Sequence, residues 1–182
     1  AGEAFVERMH LVPEDRLFCI LPFFHINALF YSLMGSLAAG ASLLICPKFS
    51  ASQFWNIAAE FKATEVNIIA AVGTILSQRD RSEWRKDHVI KKIYGAPVTA
   101  EIDKIFREEF RVPLLLEGYG MTEIPGAINN QINGPFKIGT MGVAALHPNR
   151  NLKFTELKII DENEMPVANG EYGELVVKTP LL

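Results

Sequence analysis

The stretch "LLLEGYGMTE", Leu114 to Glu123, joins an apolar run to a turn that carries polar side chains. The run predicts a buried strand, the chain then turns at Tyr119 and Gly120, and Thr122 and Glu123 follow side by side. A packed core does not require an aromatic ring, a flexible backbone, a hydroxyl and a carboxylate together, since buried polar groups cost free energy unless they are paired. A ligand that carries phosphates and a flat base would account for the combination.

Four further apolar runs precede this strand, and segments with helical character separate them. The runs are "RLFCILP" (16–22), "ASLLICP" (41–47), "TEVNIIAAV" (64–72) and "IKKIYGAP" (90–97). The predicted helices include 1–10, 25–40, 50–63 and 99–110. This alternation predicts an α/β fold with a doubly wound, mostly parallel sheet and flanking helices. In such a sheet the ligand binds at the carboxyl ends of the strands, where "YGAP" and "EGYGMTE" both lie.

Helix boundaries are also visible in the sequence. Gly40 predicts a left-handed C-cap, and Thr99 predicts an N-cap. For the helix at 50–63, either Ser50 or Ser52 is the expected N-cap. The apolar positions that helical spacing places on one face of that helix are Phe54, Ile57, Ala58 and Phe61.

After about residue 130 the helical segments stop. Short apolar runs at 134–146, 153–162 and 170–179 alternate with turn residues, which predicts antiparallel β-structure belonging to a small barrel or sandwich. We therefore expect an α/β subdomain that binds nucleotide and acyl group over residues 1–132, followed by a partial β-barrel-like subdomain over 133–182.

Composition and charge narrow the possible partners. The chain has 182 residues and a net charge of −3, so it lacks the basic excess of nucleic-acid-binding proteins, and we predict no nucleic-acid partner. The longest apolar stretch, 25–46, is interrupted by Gly35 and Gly40, which favours helix, turn and strand over a membrane span. Cys19 and Cys46 lie in apolar runs without CxxC spacing. This pattern favours unreactive thiols, with a disulfide as the alternative, and a cytoplasmic protein.

An ordered set of motifs resembles the adenylate-forming (AMP-binding) acyl-CoA synthetase superfamily. The set is "LPFFH" (21–25), "YGAP" (94–97), "EGYGMTE" (117–123) and "GEYGELVVKTP" (170–180), and it spans nearly the whole chain. The helix start "FSASQFW" (49–55) resembles the crotonobetaine/carnitine-CoA ligase branch. The resemblance implies a two-step ligase reaction. A carboxylic acid is joined to the α-phosphate of ATP with Mg²⁺ present, and coenzyme A then displaces AMP.

The resemblance also implies a nucleotide site. Tyr119 would stack on adenine, with the backbone of Gly95, Ala96 and Pro97 as the opposite wall, and Gly118 would offer its carbonyl to the adenine amino group. The nucleotide contacts would continue through Gly120, Met121 and Thr122. The alternative for Tyr119 is an ordinary core tyrosine that caps the sheet.

Three residues are implied as catalytic. Thr122 would hydrogen-bond the α-phosphate, and Glu123 would bind Mg²⁺. No general base is needed, because the attacking carboxylate is already ionised. His25 would lie beside the acyl carbonyl and the path of the thiol. The structural alternatives are a turn-capping role for "MTE" and a satisfied structural role for His25. The expected wall of the acyl pocket is formed by Ile26, Asn27, Val72, Gly73 and Thr74.

The sequence also departs from the family pattern. The Ser/Thr/Gly-rich phosphate loop, the ribose-binding aspartate and the catalytic lysine of the family are not found in these 182 residues, and Tyr94 stands where a small residue is common. We therefore expect a central fragment, truncated at both ends and inactive when isolated. Two alternatives remain, namely an adenylating domain for aryl or amino acids and a non-catalytic nucleotide-binding module.

Overall fold

The computed structural model describes residues 1–134, 137 and 139–180. In this part of the chain nine strands and five α-helices are found. The strands are β1 Arg16–Cys19, β2 Ser42–Ile45, β3 Glu65–Ile69, β4 Lys92–Ala96, β5 Leu114–Tyr119, β6 Ile128–Asn129, β7 Val143–Ala144, β8 Glu156–Ile160 and β9 Glu174–Lys178. The helices are α1 Gly2–Met9, α2 Met34–Ala39, α3 Phe54–Glu60, α4 Ala70–Gln78 and α5 Ala100–Lys104. π-Helical turns occupy Asn27–Leu33 and Ile105–Glu109.

The described strands form a seven-stranded sheet in the order β2-β1-β3-β4-β5-β6-β7 and a separate hairpin, β8-β9. Strands β1 to β5 pair in parallel, whereas β6 and β7 are short and antiparallel. The predicted α/β class, with a mostly parallel sheet followed by a smaller antiparallel one, is confirmed. The parallel strands read as continuous apolar runs because helices cover both faces of the sheet.

Successive side chains along a strand point to opposite faces of the sheet, and the two faces have separate cores. On β1, Phe18 packs with the helices α3, α4 and α5, whereas its neighbour Leu17 packs with α1. The same division holds on β5, where Leu115 joins the first core and Leu116 the second. The doubly wound arrangement therefore follows directly from apolar residues at adjacent strand positions.

Two helix caps agree with the sequence, and three local details differ from it. Gly40 adopts a left-handed φ of 67°, and the Thr99 hydroxyl accepts a hydrogen bond from the Ile102 amide at 3.2 Å. Neither Ser50 nor Ser52 caps α3, because a 3₁₀ turn intervenes and Gln53 takes the N-cap position. Phe61 lies beyond the end of α3 and is half exposed, so it does not extend the buried face of that helix. Strand β3 stops at Ile69, because α4 begins at the next residue.

The second half of the chain is divided between the two sheets. Strand β7 pairs with β6 and so extends the large sheet past residue 132, while β8 and β9 form the hairpin. Leu157, Leu175 and Val177 of the hairpin pack against a small cluster around Ile128. Residues 135, 136 and 138 of the predicted strand 134–146 lie outside the described residues. The boundary between residues 132 and 133 stays a prediction.

Two smaller expectations concern thiols and membranes. Cys19 is buried and Cys46 half-buried, and both are free thiols. Burial raises the pKa of the Cys19 thiol, which keeps it in the unreactive form. Among the described residues, no helix combines the length and apolar character needed to cross a bilayer.

Candidate nucleotide site

The ends of β4 and β5 bring the predicted adenine-binding residues to one edge of the sheet. The two strands are parallel neighbours with Gly95 opposite Glu117, so the residues that follow each of them emerge side by side. Ala96 and Pro97 are exposed there. Tyr119 is half-buried and packs against the cluster of Ile124, Ala127 and Ile128. This packing holds the ring while leaving part of it accessible at the same edge, which is compatible with the predicted stacking role.

Gly118 lies where no side chain fits. A β-carbon at this position would overlap the Tyr94 hydroxyl and approach the Ile128 carbonyl oxygen at 2.9 Å. Tyr94 is buried, and its ring fills the space beneath the strand. The large residue in front of "GAP" is therefore accommodated by the glycine on the neighbouring strand.

We predict that Gly118→Ala displaces Tyr94 or the end of β5. Overpacking of this kind typically costs about 1–3 kcal/mol of folding free energy. We also expect it to weaken AMP binding at least tenfold, because the adjacent Tyr119 moves with the strand. Isothermal titration calorimetry with AMP and thermal unfolding would measure the two effects. Gly73→Ala, whose added β-carbon would lie at an ordinary 3.4 Å from Ile102, is the matched control. Unchanged AMP affinity in Gly118→Ala would contradict the prediction.

Thr122 and Glu123 lie in a compact loop that follows β5. The loop closes on itself, since a β-carbon on Gly120 would overlap the Gly126 amide nitrogen. The Ile124 amide donates to the Met121 carbonyl oxygen at 3.1 Å, which forms a turn and not a helix. Both side chains are exposed, and within the described part of the chain neither makes a hydrogen bond or ion pair. The alternative, in which "MTE" caps the following turn, therefore has no side-chain hydrogen bond to support it within this part of the chain.

Open space lies beside Thr122. A cavity of about 690 Å³ is lined by Thr122, Pro125, Phe30, Met34 and Leu37. Ala1 and Gly2 line the same cavity. The Thr122 hydroxyl is therefore accessible to a ligand, as a phosphate contact requires.

His25 lies further along the same edge of the sheet. It is exposed, its ring centroid is 4.4 Å from that of Phe24, and its amide donates to the Pro22 carbonyl oxygen at 3.0 Å. Since β3 separates β1 from β4, His25 is not adjacent to the strand ends that carry Tyr119. Its catalytic role stays a prediction.

The predicted acyl-pocket wall is only partly available. Val72 belongs to the hydrophobic core. Gly73 lies in α4 and is buried against Ile102 of α5. Thr74 is exposed. The early start of α4 places both residues on a helix that packs against this core.

Two residues that support the site were not found from the sequence. The side-chain oxygen of Asn130 accepts a hydrogen bond from the Glu117 backbone amide at 2.8 Å. The backbone amide of Asn130 donates to the Glu117 carbonyl oxygen at 2.8 Å. Burial raises the pKa of the Glu117 carboxyl group, although a hydrogen bond from the Val98 backbone opposes the shift. Glu117 therefore contacts the segment that follows Pro97. Asn130 had no local signal, because it acts through a strand pair.

Glu123 is suited to a metal ion that arrives with a ligand. Within residues 1–134, 137 and 139–180, no group of three His, Cys, Asp or Glu side chains could hold a metal. Mg²⁺ is typically bound through one or two carboxylates together with substrate phosphates. A single exposed carboxylate next to Thr122 fits that pattern, and Glu123 as the magnesium ligand stays a prediction.

Comparison with known proteins shows the family of the chain. The family model described as "AMP-binding enzyme" matches residues 2–182, and the chain belongs to that family. It is 31% identical over 137 residues to the very long-chain fatty acid transport protein of Saccharomyces cerevisiae, covering 75% of this chain and 20% of that protein. It is 28% identical over 167 residues to the crotonobetaine/carnitine–CoA ligase of Escherichia fergusonii, covering 91% of this chain and 31% of that one.

The fold is shared with a solved ATP-bound structure. ATP-bound MatB from Rhodopseudomonas palustris superposes with a TM-score of 0.85 at 24% identity, over 100% of this chain and 35% of that one. The resemblance to the superfamily is thus confirmed. The chain spans between a fifth and about a third of the length of these proteins.

Proposed function

We propose that this chain is the central part of an ATP-dependent acyl-CoA synthetase. The observation that carries the proposal is the juxtaposition of the β4 and β5 ends, where an accessible Tyr119 and two exposed polar side chains follow one another. Membership of the AMP-binding family and the fold shared with an ATP-bound enzyme support it. The two free cysteines fit a cytoplasmic location.

Each residue has a defined role in this proposal. Tyr119 stacks on adenine, a contact worth about 1–3 kcal/mol per base in nucleic-acid binders. Gly95, Ala96 and Pro97 form the opposite wall. Thr122 donates a hydrogen bond to the α-phosphate. When Mg²⁺ is bound by Glu123 and the phosphates, it offsets the negative charge that develops during transfer.

The chemistry divides into two displacements. A carboxylate oxygen of the acid attacks the α-phosphorus, the bond to the β-phosphate oxygen breaks, and pyrophosphate leaves. The coenzyme A thiolate then attacks the acyl carbonyl carbon, and AMP leaves with the electron pair of the acyl–oxygen bond. In the first step the protein contributes positioning and charge neutralisation. In this proposal His25 flanks the path of the thiol in the second step.

The exposed side chains along this edge favour an apolar acid. Phe24, Ile69 and Met121 follow or end β1, β3 and β5, and between 45% and 82% of each is exposed. A fatty or aryl carboxylic acid would cover these side chains, whereas a free amino acid would need an acidic partner for its ammonium group. The fatty acid in the name of the yeast relative agrees with an apolar acyl group.

Carboxylate-dependent exchange of labelled pyrophosphate into ATP tests this proposal. We expect the longer protein that contains this chain to show exchange with fatty or aryl acids, and much less with amino acids. We expect the isolated 182-residue chain to show none. Exchange that is strongest with amino acids would refute the acyl-group assignment, and acyl-CoA formation by the isolated chain would refute the assignment as a fragment. Absence of exchange with every acid would favour a non-catalytic nucleotide-binding module.

A further inference from the structure

Arg8 is a buried cation beneath the loop that carries Thr122 and Glu123. It belongs to α1, and only 6% of its surface is exposed. Its Nη2 atom donates a hydrogen bond to the Gly126 carbonyl oxygen at 2.8 Å, across 118 positions of sequence. Among the described residues it forms no ion pair with a carboxylate. A buried charge without an opposite charge is costly, so Arg8 needs another source of stabilisation.

Three aromatic rings provide that stabilisation. The guanidinium carbon of Arg8 lies 5.1 Å from the ring centroid of Tyr94, 5.3 Å from that of Tyr31 and 5.7 Å from that of Phe5. These distances are within the range of cation–π attraction. Tyr94 is the residue that also fills the space beneath Gly118. Arg8 therefore contacts both ends of the segment 118–126. It contacts Gly126 directly and Gly118 through Tyr94.

The Gly126 end of the loop is shaped around the guanidinium group. Gly126 has a left-handed φ of 60°, and a β-carbon there would overlap the Arg8 guanidinium nitrogens. Gly126 in turn contacts Gly120, since the loop closes at that point. A shift of Gly126 would therefore be transmitted to the five residues between them, which include Thr122 and Glu123.

We propose that Arg8 is a positioning residue for the nucleotide-binding loop, holding residues 120–126 in the geometry that presents Thr122 and Glu123 to phosphate and magnesium. The catalytic meaning of this inference rests on the proposed function, but the mechanical part does not. Arginine suits the role because its planar group can donate in plane to the Gly126 carbonyl while its faces lie against aromatic rings. Lysine keeps the charge but cannot do both with the same geometry.

Hydrogen–deuterium exchange of the full-length protein tests the mechanical part. In Arg8→Met we expect the Ile124 and Ala127 amides, which donate to loop carbonyl groups, to exchange at least tenfold faster. Amides of β3 should keep the wild-type rate. In Arg8→Lys the exchange rates of the two loop amides should lie between those of the wild type and Arg8→Met. Arg150→Met is the matched control, since Arg150 pairs with Glu7 on the exposed side of α1.

Pyrophosphate exchange tests the catalytic part. We expect Arg8→Met to lower kcat at least tenfold while the KM for the carboxylic acid changes less than twofold, with partial recovery in Arg8→Lys. A purely structural role would lower the folded fraction without altering kcat per folded molecule, and that result would overturn the inference. Unchanged loop exchange in Arg8→Met would also overturn it.

Failure of the proposed function can be told apart from failure of this inference. If the wild-type protein shows no pyrophosphate exchange, the proposed function fails, while faster loop exchange in Arg8→Met would still support Arg8 as the residue that holds the loop. If Arg8→Met does not fold, Arg8→Lys carries the same measurements. Wild-type loop protection and wild-type kcat in Arg8→Lys would then count against the geometric argument.

Discussion

Glu123→Gln in the full-length protein is expected to lower the rate of adenylate formation by about 10²- to 10³-fold, the loss typical when one preorganised stabiliser of transition-state charge is removed. The glutamine has nearly the same shape but carries no charge, so it binds Mg²⁺ weakly. Because Glu123 is exposed and has no partner among the described residues, folding should be unaffected. Steady-state pyrophosphate exchange at several Mg²⁺ concentrations measures the effect, and excess Mg²⁺ should recover part of the rate.

The control for this experiment is Glu162→Gln, which removes an exposed carboxylate from the turn between β8 and β9. We expect this variant to show the wild-type rate of pyrophosphate exchange. Wild-type rates from Glu123→Gln at every Mg²⁺ concentration would refute Glu123 as the magnesium ligand. If the protein is instead a non-catalytic module, its biological activity should survive the substitution.

Glu65→Gln is expected to remove a large part of the pH dependence of folding stability. Glu65 begins β3, is fully buried, and neither of its carboxyl oxygens has a hydrogen-bond partner among the described residues. Burial raises the pKa of its carboxyl group from 4.5 to about 8, with the nearby Asp15 charge adding to the shift and Lys92 opposing it. Lys92 offsets only part of this shift, because its ammonium group is paired with Asp15, 2.8 Å from a carboxylate oxygen.

The direction of the effect follows from the two pKa values. Below pH 4.5 the Glu65 carboxyl group is protonated in both the folded and the unfolded chain. Between pH 4.5 and about 8 the unfolded chain releases the proton and the folded chain retains it, so stability falls as pH rises. With about 1.4 kcal/mol for each pKa unit, the loss is on the order of 5 kcal/mol across this range.

Urea unfolding of wild type and Glu65→Gln between pH 4 and pH 9 measures this difference. We expect the variant to gain stability relative to wild type as pH rises, and the gain to level off above about pH 8. Asp15 does not contribute in this range. Burial would raise the pKa of Asp15, but hydrogen bonds from Lys92 and Thr64 outweigh it and lower the pKa below 3.8. Glu60→Gln, an exposed position at the end of α3, is the control, and parallel pH profiles for wild type and Glu65→Gln would contradict the prediction.

Local sequence patterns were sufficient for most of the sheet and for part of the site. Each of the five parallel strands was predicted from a continuous apolar run, and the Thr99 and Gly40 caps from residue types with a specific backbone preference. The positions of Tyr119 and Glu123 at a strand end followed from the same patterns. Two predictions were wrong, namely that Phe61 belongs to the buried face of its helix and that α4 starts only after residue 72. Where a helix starts or ends depends on packing, which the spacing of apolar residues alone does not report.

The sequence by itself determined the order of strands and helices, the parallel sheet and the edge at which a ligand would lie, because these depend on apolar periodicity and turn residues over a few positions. Tertiary structure alone decided how the loop at 120–126 is held. Arg8 reaches Gly126 across 118 positions, and Asn130 and Tyr94 act through neighbouring strands. Contacts of that kind form only when distant segments are packed together, so no local pattern could have predicted them.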